Sequence, residues 1–152
     1  MTGVQTCALP ISVEKIATFY RTIAEDRHVT INCTGEGEIY GDPVLFGRAV
    51  SNLVDNALRF TPDGGTIQIS ITVRGADSEV TVSDNGCGIA PEHFPRVFDR
   101  FYRVDSSRSS GGAGLGLALV KSIVDLHGGS AKIESEANRG TTVTVTFPNK
   151  RL

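Results

Sequence analysis

The sequence predicts an α+β fold: a two-layer sandwich with helices on one face of a mixed, mostly antiparallel sheet. Some segments repeat apolar residues at helical spacing, shorter ones alternate apolar and polar residues, and clusters of glycine, proline and asparagine separate them. At 152 residues the chain is long enough for one domain with a real core.

Each element has a local reason. Val13, Ile16, Ala17, Tyr20, Ile23 and Ala24 recur with helical period, so Ser12–Asp26 is predicted as an amphipathic helix. Thr30–Cys33 and Glu38–Tyr40 read as short strands. Asp42-Pro43 is a helix start, a capping side chain followed by proline at the first helical position, and that helix runs to Phe60 before "TPDGG" stops it. Ile67, Ile69, Ile71 and Val73 alternate, giving a strand over Thr66–Arg74. A turn over Gly75–Ser78 leads to a strand over Glu79–Asp84. Pro91–Val97 is a short helix, and Asp99–Gly112 is polar and irregular, long enough for a functional loop. Leu115–His127 is a helix ended by Gly128-Gly129. Ser130–Glu136 and Thr141–Phe147 form a last strand pair around "ANRG".

Composition excludes several classes. The chain is 39% hydrophobic and 21% charged with a net charge of −2, so nothing points to nucleic acid as a bulk partner. No apolar run approaches the ~20 residues of a membrane span. Cys7, Cys33 and Cys87 are scattered without metal-ligand spacing, as in a reduced chain with incidental thiols. The opening "MTGVQTCALPI" has no charged side chain and no period, and it resembles translated sequencing-adaptor DNA. Residues 1–11 are therefore expected to take no part in the fold, and the native chain to extend further upstream.

Chemistry concentrates in a few places. The Pro43–Phe60 helix is apolar on most sides, yet Asn52, Asn56 and Arg59 form one polar stripe at i, i+4 and i+7. The stripe is either the solvated edge of the helix or a Mg²⁺ and phosphate site, since an amide oxygen suits Mg²⁺ and a guanidinium clamps phosphate. Val80, Val82 and Asp84 share strand parity, which turns the Asp84 carboxylate toward the core. "DNGCGI" then turns on Gly86 and Gly88. It is either a simple turn or a carboxylate that accepts from an adenine amino group, with Ile89 against the ring. Thr141 shares parity with Val143, Val145 and Phe147; its hydroxyl is a strand-end hydrogen bond or a second contact to the same base.

"GGAGLGLALV" places four glycines directly ahead of an apolar helical run. A helix start offers unpaired N–H groups and a positive dipole end, and glycines let a phosphate approach them. No GxxxxGK[ST] loop is present, and the segment before these glycines is "RVDSSRSS" rather than a strand. Arg100, Arg103 and Arg108 lie in that loop, either solvated or folded over phosphates.

Together these motifs resemble the ATP-binding catalytic domain of sensor histidine kinases, within the gyrase, heat-shock-chaperone and histidine-kinase superfamily. "NLVDNALRFTP" is similar to the asparagine box, "DNGCGI" and "GGAGLGLALVKSIVDLHGG" to the two glycine boxes, "VFDRFYRVD" to the phenylalanine box and "GTTVTVTFP" to the last box. Their wording looks like the heavy-metal, copper/silver type of sensor. The resemblance implies the Bergerat-type sandwich with an ATP lid over Asp99–Gly111. It implies Mg²⁺ on Asn56 with Asn52 beside it, Arg59 toward phosphate, Phe60 as an aromatic face for the base and Asp84 for adenine. It implies nucleotide contacts from Gly86, Gly88, Ile89, Arg100, Phe101, Arg103, Leu115, Leu117 and Thr141. Gly112, Gly114 and Gly116 are implied for the phosphates. Arg59 and Phe60 stand where Lys and Tyr are more usual.

The resemblance further implies a γ-phosphoryl transfer from ATP to a histidine on a dimerisation domain. None of His28, His93 or His127 stands in the family's acceptor box. That domain is expected upstream, with residues 12–28 as the end of its linking helix and 29–149 as the catalytic domain. The implied whole is a homodimer that serves a response regulator, with this domain in the cytoplasm and the protein in the bacterial inner membrane. Two other readings remain: an ATPase or anti-sigma-type serine kinase of the same superfamily, and a non-catalytic ATP-binding module. The first normally places a glutamate general base where Asn52 stands.

Overall fold

A computed structural model describes residues 8–11, 13–88, 92, 96–99, 116–136 and 138–149. The main element is a five-stranded sheet in the order β2-β4-β5-β7-β6, built from β2 (Thr30–Thr34), β4 (Thr66–Arg74), β5 (Asp77–Asp84), β6 (Ser130–Glu136) and β7 (Gly140–Pro148). The β2/β4 pair is parallel and the others antiparallel, the mixed sheet the sequence predicts. Helices α1 (Val13–Asp26), α2 (Pro43–Phe60) and α3 (Gly116–Leu126) supply the second layer. Between them and the sheet lies one core, with Ile67, Ile69, Val80, Val145 and Phe147 from the strands and Val50, Val54, Val120 and Val124 from the helices, all fully buried.

Helix α2 follows its sequence signals closely. The Asp42 Oδ1 accepts the main-chain N–H of Val44 at 2.8 Å and of Leu45 at 3.4 Å, and Pro43 takes the first turn, where no N–H is needed. Phe46, Ala49, Val50, Leu53, Val54, Ala57 and Leu58 are buried. Phe46 meets Phe147 edge to face at 5.3 Å and 70°.

Two boundaries differ from the sequence reading. The β4–β5 hairpin is tighter than the expected turn: Arg74 pairs with Asp77, leaving Gly75 and Ala76 as the loop. Gly75 has φ 59°, the positive value a primed two-residue turn requires at its first position. The helix expected over Ser12–Asp26 is α1, and it packs into the domain, with Ala17 and Ala24 at 0% and 1% exposure and Arg21 donating to the Ile31 carbonyl. Residues 8–11, expected outside the fold, form β1 (Ala8–Ile11), which pairs antiparallel with β3 (Gly37–Tyr40). A ladder is made by main-chain groups, so an edge of this kind accepts a partner of almost any sequence. Of the short helix expected over Pro91–Val97, Glu92, Arg96 and Val97 are described; His93 and the expected lid beyond Asp99 lie outside the described residues.

One capping residue was not foreseen. Arg27, just past α1, donates through Nη1 to the Leu58 carbonyl and through Nη2 to the Thr61 carbonyl, satisfying the orphan carbonyls at the end of α2. Its Nε also meets the exposed Asp63 at 3.3 Å. Arg27→Ala is expected to lower stability by about 1–3 kcal/mol in urea titrations, as lost charged hydrogen bonds do. Asp63→Ala should change it by less than about 1 kcal/mol, because that pair is solvated. Equal losses from the two substitutions would contradict the capping role.

Candidate functional site

The site is assembled where the C-terminal half of α2 meets the end of β5. On α2, Asn52, Asn56, Arg59 and Phe60 are all half-buried, flanking the buried face in the stripe the spacing predicts. Arg59 Nη2 lies 3.5 Å from Asp55 Oδ2, one turn back on the same helix. Asp55 also faces α1. Burial first, and the Asp55 carboxylate second, push the Tyr20 phenol above its ordinary 10.0, while a hydrogen bond with Ser51 works the other way. The Asp55–Arg59 pair is solvated enough to be worth only ~0.3–0.5 kcal/mol, so Arg59 can leave it for a phosphate at little expense.

Asp84 ends β5 with its carboxylate turned inward, in line with the buried Ser78, Val80 and Val82. It is 9% exposed. Burial raises its pKa above the ordinary 3.8, and main-chain hydrogen bonds from Gly86 and then Thr141 partly restore the charged form. The Gly86 N–H reaches Asp84 Oδ1 at 2.8 Å. Thr141 sits directly opposite Asp84 in the β5/β7 register. Its hydroxyl faces the core side as parity predicts, but it already has a partner: Ser135 Oγ at 2.9 Å, which also meets the Gly140 carbonyl at 2.8 Å. Ser135 was missed in the sequence; its inward position opposite Thr141 follows only from the β6/β7 register.

The loop after Asp84 is sewn to its surroundings by main-chain bonds. The Cys87 N–H donates to the Phe60 carbonyl at 3.4 Å, and the Asn138 N–H to the Cys87 carbonyl at 2.7 Å. Asn85 Oδ1 accepts from the Thr66 N–H at 2.8 Å. Gly86 is the tight point. A Cβ there would stand 2.2 Å from the Phe60 carbonyl oxygen and 2.8 Å from Asp84 Oδ1. Gly86 thus serves the joint between α2 and β5, while Gly88 has φ 75°. Neither Cys33 nor Cys87 is in a disulfide.

Helix α3 begins at Gly116, which is exposed with open space around its Cα, and Leu117 is half-buried against the core. Ile89, Arg100, Phe101, Arg103, Gly112, Gly114 and Leu115 lie outside the described residues. Among the described residues no three His, Cys, Asp or Glu side chains converge as a metal cage, and no helix is long and apolar enough to cross a membrane. Mg²⁺ needs no such cage: it keeps waters, takes one or two protein oxygens and relies on substrate phosphates. The Asn56 amide oxygen fits that use.

A buried carboxylate at the end of a central strand, an asparagine-bearing helix and a glycine-rich helix start define a nucleotide-binding domain of the histidine kinase-, DNA gyrase B- and HSP90-like ATPase family. Residues 41–151 match that family's description, and the chain belongs to it. It is 47% identical over 139 residues to the sensor histidine kinase CusS of Escherichia coli K12, covering 90% of this chain and 29% of CusS. It is 42% identical over 148 residues to the sensor protein IrlS of Burkholderia pseudomallei, covering 96% of this chain and 32% of IrlS. The chain therefore spans about a third of these relatives. Among solved structures, it superposes on the mycobacterial sensor histidine kinase MprB with a TM-score of 0.79 and 30% identity, covering 95% of this chain and 100% of that one. The catalytic domain of histidine kinase ThkA shares the fold, with a TM-score of 0.80 and 20% identity over 93% of this chain and 95% of the other.

Gly86→Ala is expected to lower stability by roughly 1–3 kcal/mol, because the new methyl meets main chain on one side and a carboxylate on the other. Gly47→Ala, inside α2 with open space around it, should raise stability by roughly 0.5–1 kcal/mol. Urea midpoints of the two variants moving the same way would contradict this reading.

Proposed function

We propose that this chain binds Mg²⁺-ATP and supplies its γ-phosphoryl group to a histidine on a separate dimerisation domain, as the catalytic part of a two-component sensor kinase. The inward Asp84, whose charged form is favoured by N–H groups of Gly86 and Thr141, carries the reading: it is a buried acceptor placed to receive an amino group. In this reading Asp84 accepts from the adenine amine, Ile89 and Phe60 line the base, and Thr141 holds Asp84 through its main chain. Arg59 leaves Asp55 for a phosphate. Gly112, Gly114 and Gly116 bring the phosphates to the N–H groups that open α3, and Arg100, Phe101 and Arg103 close over them. Asn56 would hold Mg²⁺, with Asn52 beside it. Bound there, the ion would neutralise charge on the β- and γ-phosphates.

The acceptor imidazole's lone pair forms the new N–P bond while the bond from the γ-phosphorus to the bridging oxygen breaks and ADP departs. Little else is asked of the protein than position and charge. Asn52 supports transfer over hydrolysis, because an amide takes no proton from water. The names of CusS and IrlS support the sensor-kinase setting. A partner response regulator, a homodimeric whole and membrane attachment belong to the same proposal.

Asp84→Asn keeps the size but loses the charge, and is expected to weaken ATP binding ten- to a hundredfold, about 1.5–3 kcal/mol, in calorimetry. The pH dependence has a definite sign. Because folding raises the Asp84 pKa, its favourable share of stability is full below 3.8 and is lost as pH rises through the raised value. Adenine binding needs the charged form, so ATP affinity should instead rise over that same interval. Asp84→Asn should flatten both profiles; an unchanged binding profile would refute the assignment. Asn56→Ala should remove the Mg²⁺ dependence of binding. With γ-labelled ATP, this chain alone should gain no acid-labile phosphate on His28, His93 or His127, and an added cognate dimerisation domain should be labelled. Rapid conversion of ATP to ADP without transfer would favour the ATPase reading.

A further inference from the structure

His127 follows α3 and is half-buried, far along the chain from any residue proposed to touch nucleotide. Its Nε2 accepts the main-chain N–H of Asp42 at 3.1 Å. An amide N–H only donates, so Nε2 carries no hydrogen, and Nδ1 must carry it. Nδ1 lies 2.8 Å from the Ile123 carbonyl oxygen and donates to it, one turn back in α3. The ring meets Phe147 edge to face at 5.4 Å and 77°, and Phe147 in turn meets Phe46 of α2. Gly41 completes the enclosure, since a Cβ there would stand 2.1 Å from His127 Cδ2. The imidazole is thus held on every side in one tautomer, and it ties the last turn of α3 to the residue that caps α2.

Asn56 lies about 21 Å along α2 from Asp42, and Gly116 about 16 Å along α3 from His127, at ~1.5 Å per residue. The two helices pack against each other between these points. The buried side chains of both helices are largely aliphatic (Val120, Ile123 and Val124 on α3), and such surfaces resist sliding weakly compared with a directional bond. We propose that His127 is a positioning residue: its clasp on the Asp42 N–H sets how far α3 reaches along α2, and so where the phosphate-receiving start of α3 stands relative to Asn56. The inference rests on the nucleotide site proposed above and adds to it a residue that never touches the ligand.

The test uses this chain as it stands. Nitrogen–proton correlation of the imidazole is expected to show the Nδ1–H tautomer. His127→Gln places an acceptor oxygen near the Nε2 position and is expected to bind Mg²⁺-ATP within about twofold of the parent. His127→Leu fills the space beside Phe147 without an acceptor and is expected to bind about tenfold more weakly, with unchanged far-ultraviolet circular dichroism. An Nε2–H tautomer, parental binding by a folded His127→Leu, or a loss in His127→Gln as large as in His127→Leu would each overturn the proposal. If His127→Leu does not fold, the tautomer and the His127→Gln affinity decide it. Failure of the unsubstituted chain to bind Mg²⁺-ATP would overturn the nucleotide site itself, and is distinguishable from the other outcomes.

Discussion

The structure turns on one buried carboxylate whose charged form is favoured by main-chain N–H groups. Asp84 is buried at the end of a central strand, and burial raises its pKa. Two main-chain N–H groups oppose that, and each depends on a different part of the fold. The Thr141 N–H is available because β7 pairs with β5 in a register that sets Thr141 against Asp84. The Gly86 N–H is available because the chain turns sharply after β5, with the Phe60 carbonyl so close that any side chain would collide. The sheet register and the packing of the α2 terminus on the loop thus converge on a single side chain. Two donors leave acceptor capacity on a carboxylate, which can accept about four.

Helix α2 is held at both ends by residues distant in sequence. Its start is capped by Asp42, whose own N–H is taken by His127. Its end is capped by Arg27, and its last carbonyl, Phe60, accepts from Cys87 in the glycine loop. A helix fixed so firmly can present Asn52 and Asn56 at constant height above the sheet. Only Arg59 is loosely engaged, through a solvated pair with Asp55.

Much of this was legible in the sequence because it is local. Alternation gave the inward direction of Asp84 and Thr141. The i, i+4, i+7 stripe gave the half-buried row on α2, and Asp42-Pro43 gave its first turn. What escaped the sequence reading depends on partners far away along the chain. Arg27 meets carbonyls 31 and 34 residues on, and His127 meets an amide 85 residues back. No periodicity encodes either. The β1/β3 ladder escaped for another reason: main-chain pairing is nearly indifferent to sequence, so an apolar stretch without a native pattern still finds an edge. Ser135 lay in plain sight but acquires meaning only from the β6/β7 register.

The arrangement around Asn56 also bears on what the domain is built to do. Hydrolysis calls for a carboxylate that takes a proton from water beside the γ-phosphate. Asn52 occupies the position one turn before Asn56 and has no proton affinity to offer. The neighbouring acid, Asp55, is exposed and turned toward α1, where it raises the Tyr20 phenol and holds Arg59. Adjacent residues on a helix point about 100° apart, so a carboxylate that faces α1 is poorly aimed at a water beside Asn56. Such a site would hold ATP without spending it, waiting for an imidazole that brings its own lone pair. Under the proposed transfer to a histidine on a separate domain, that restraint would keep the phosphoryl group until the acceptor arrives.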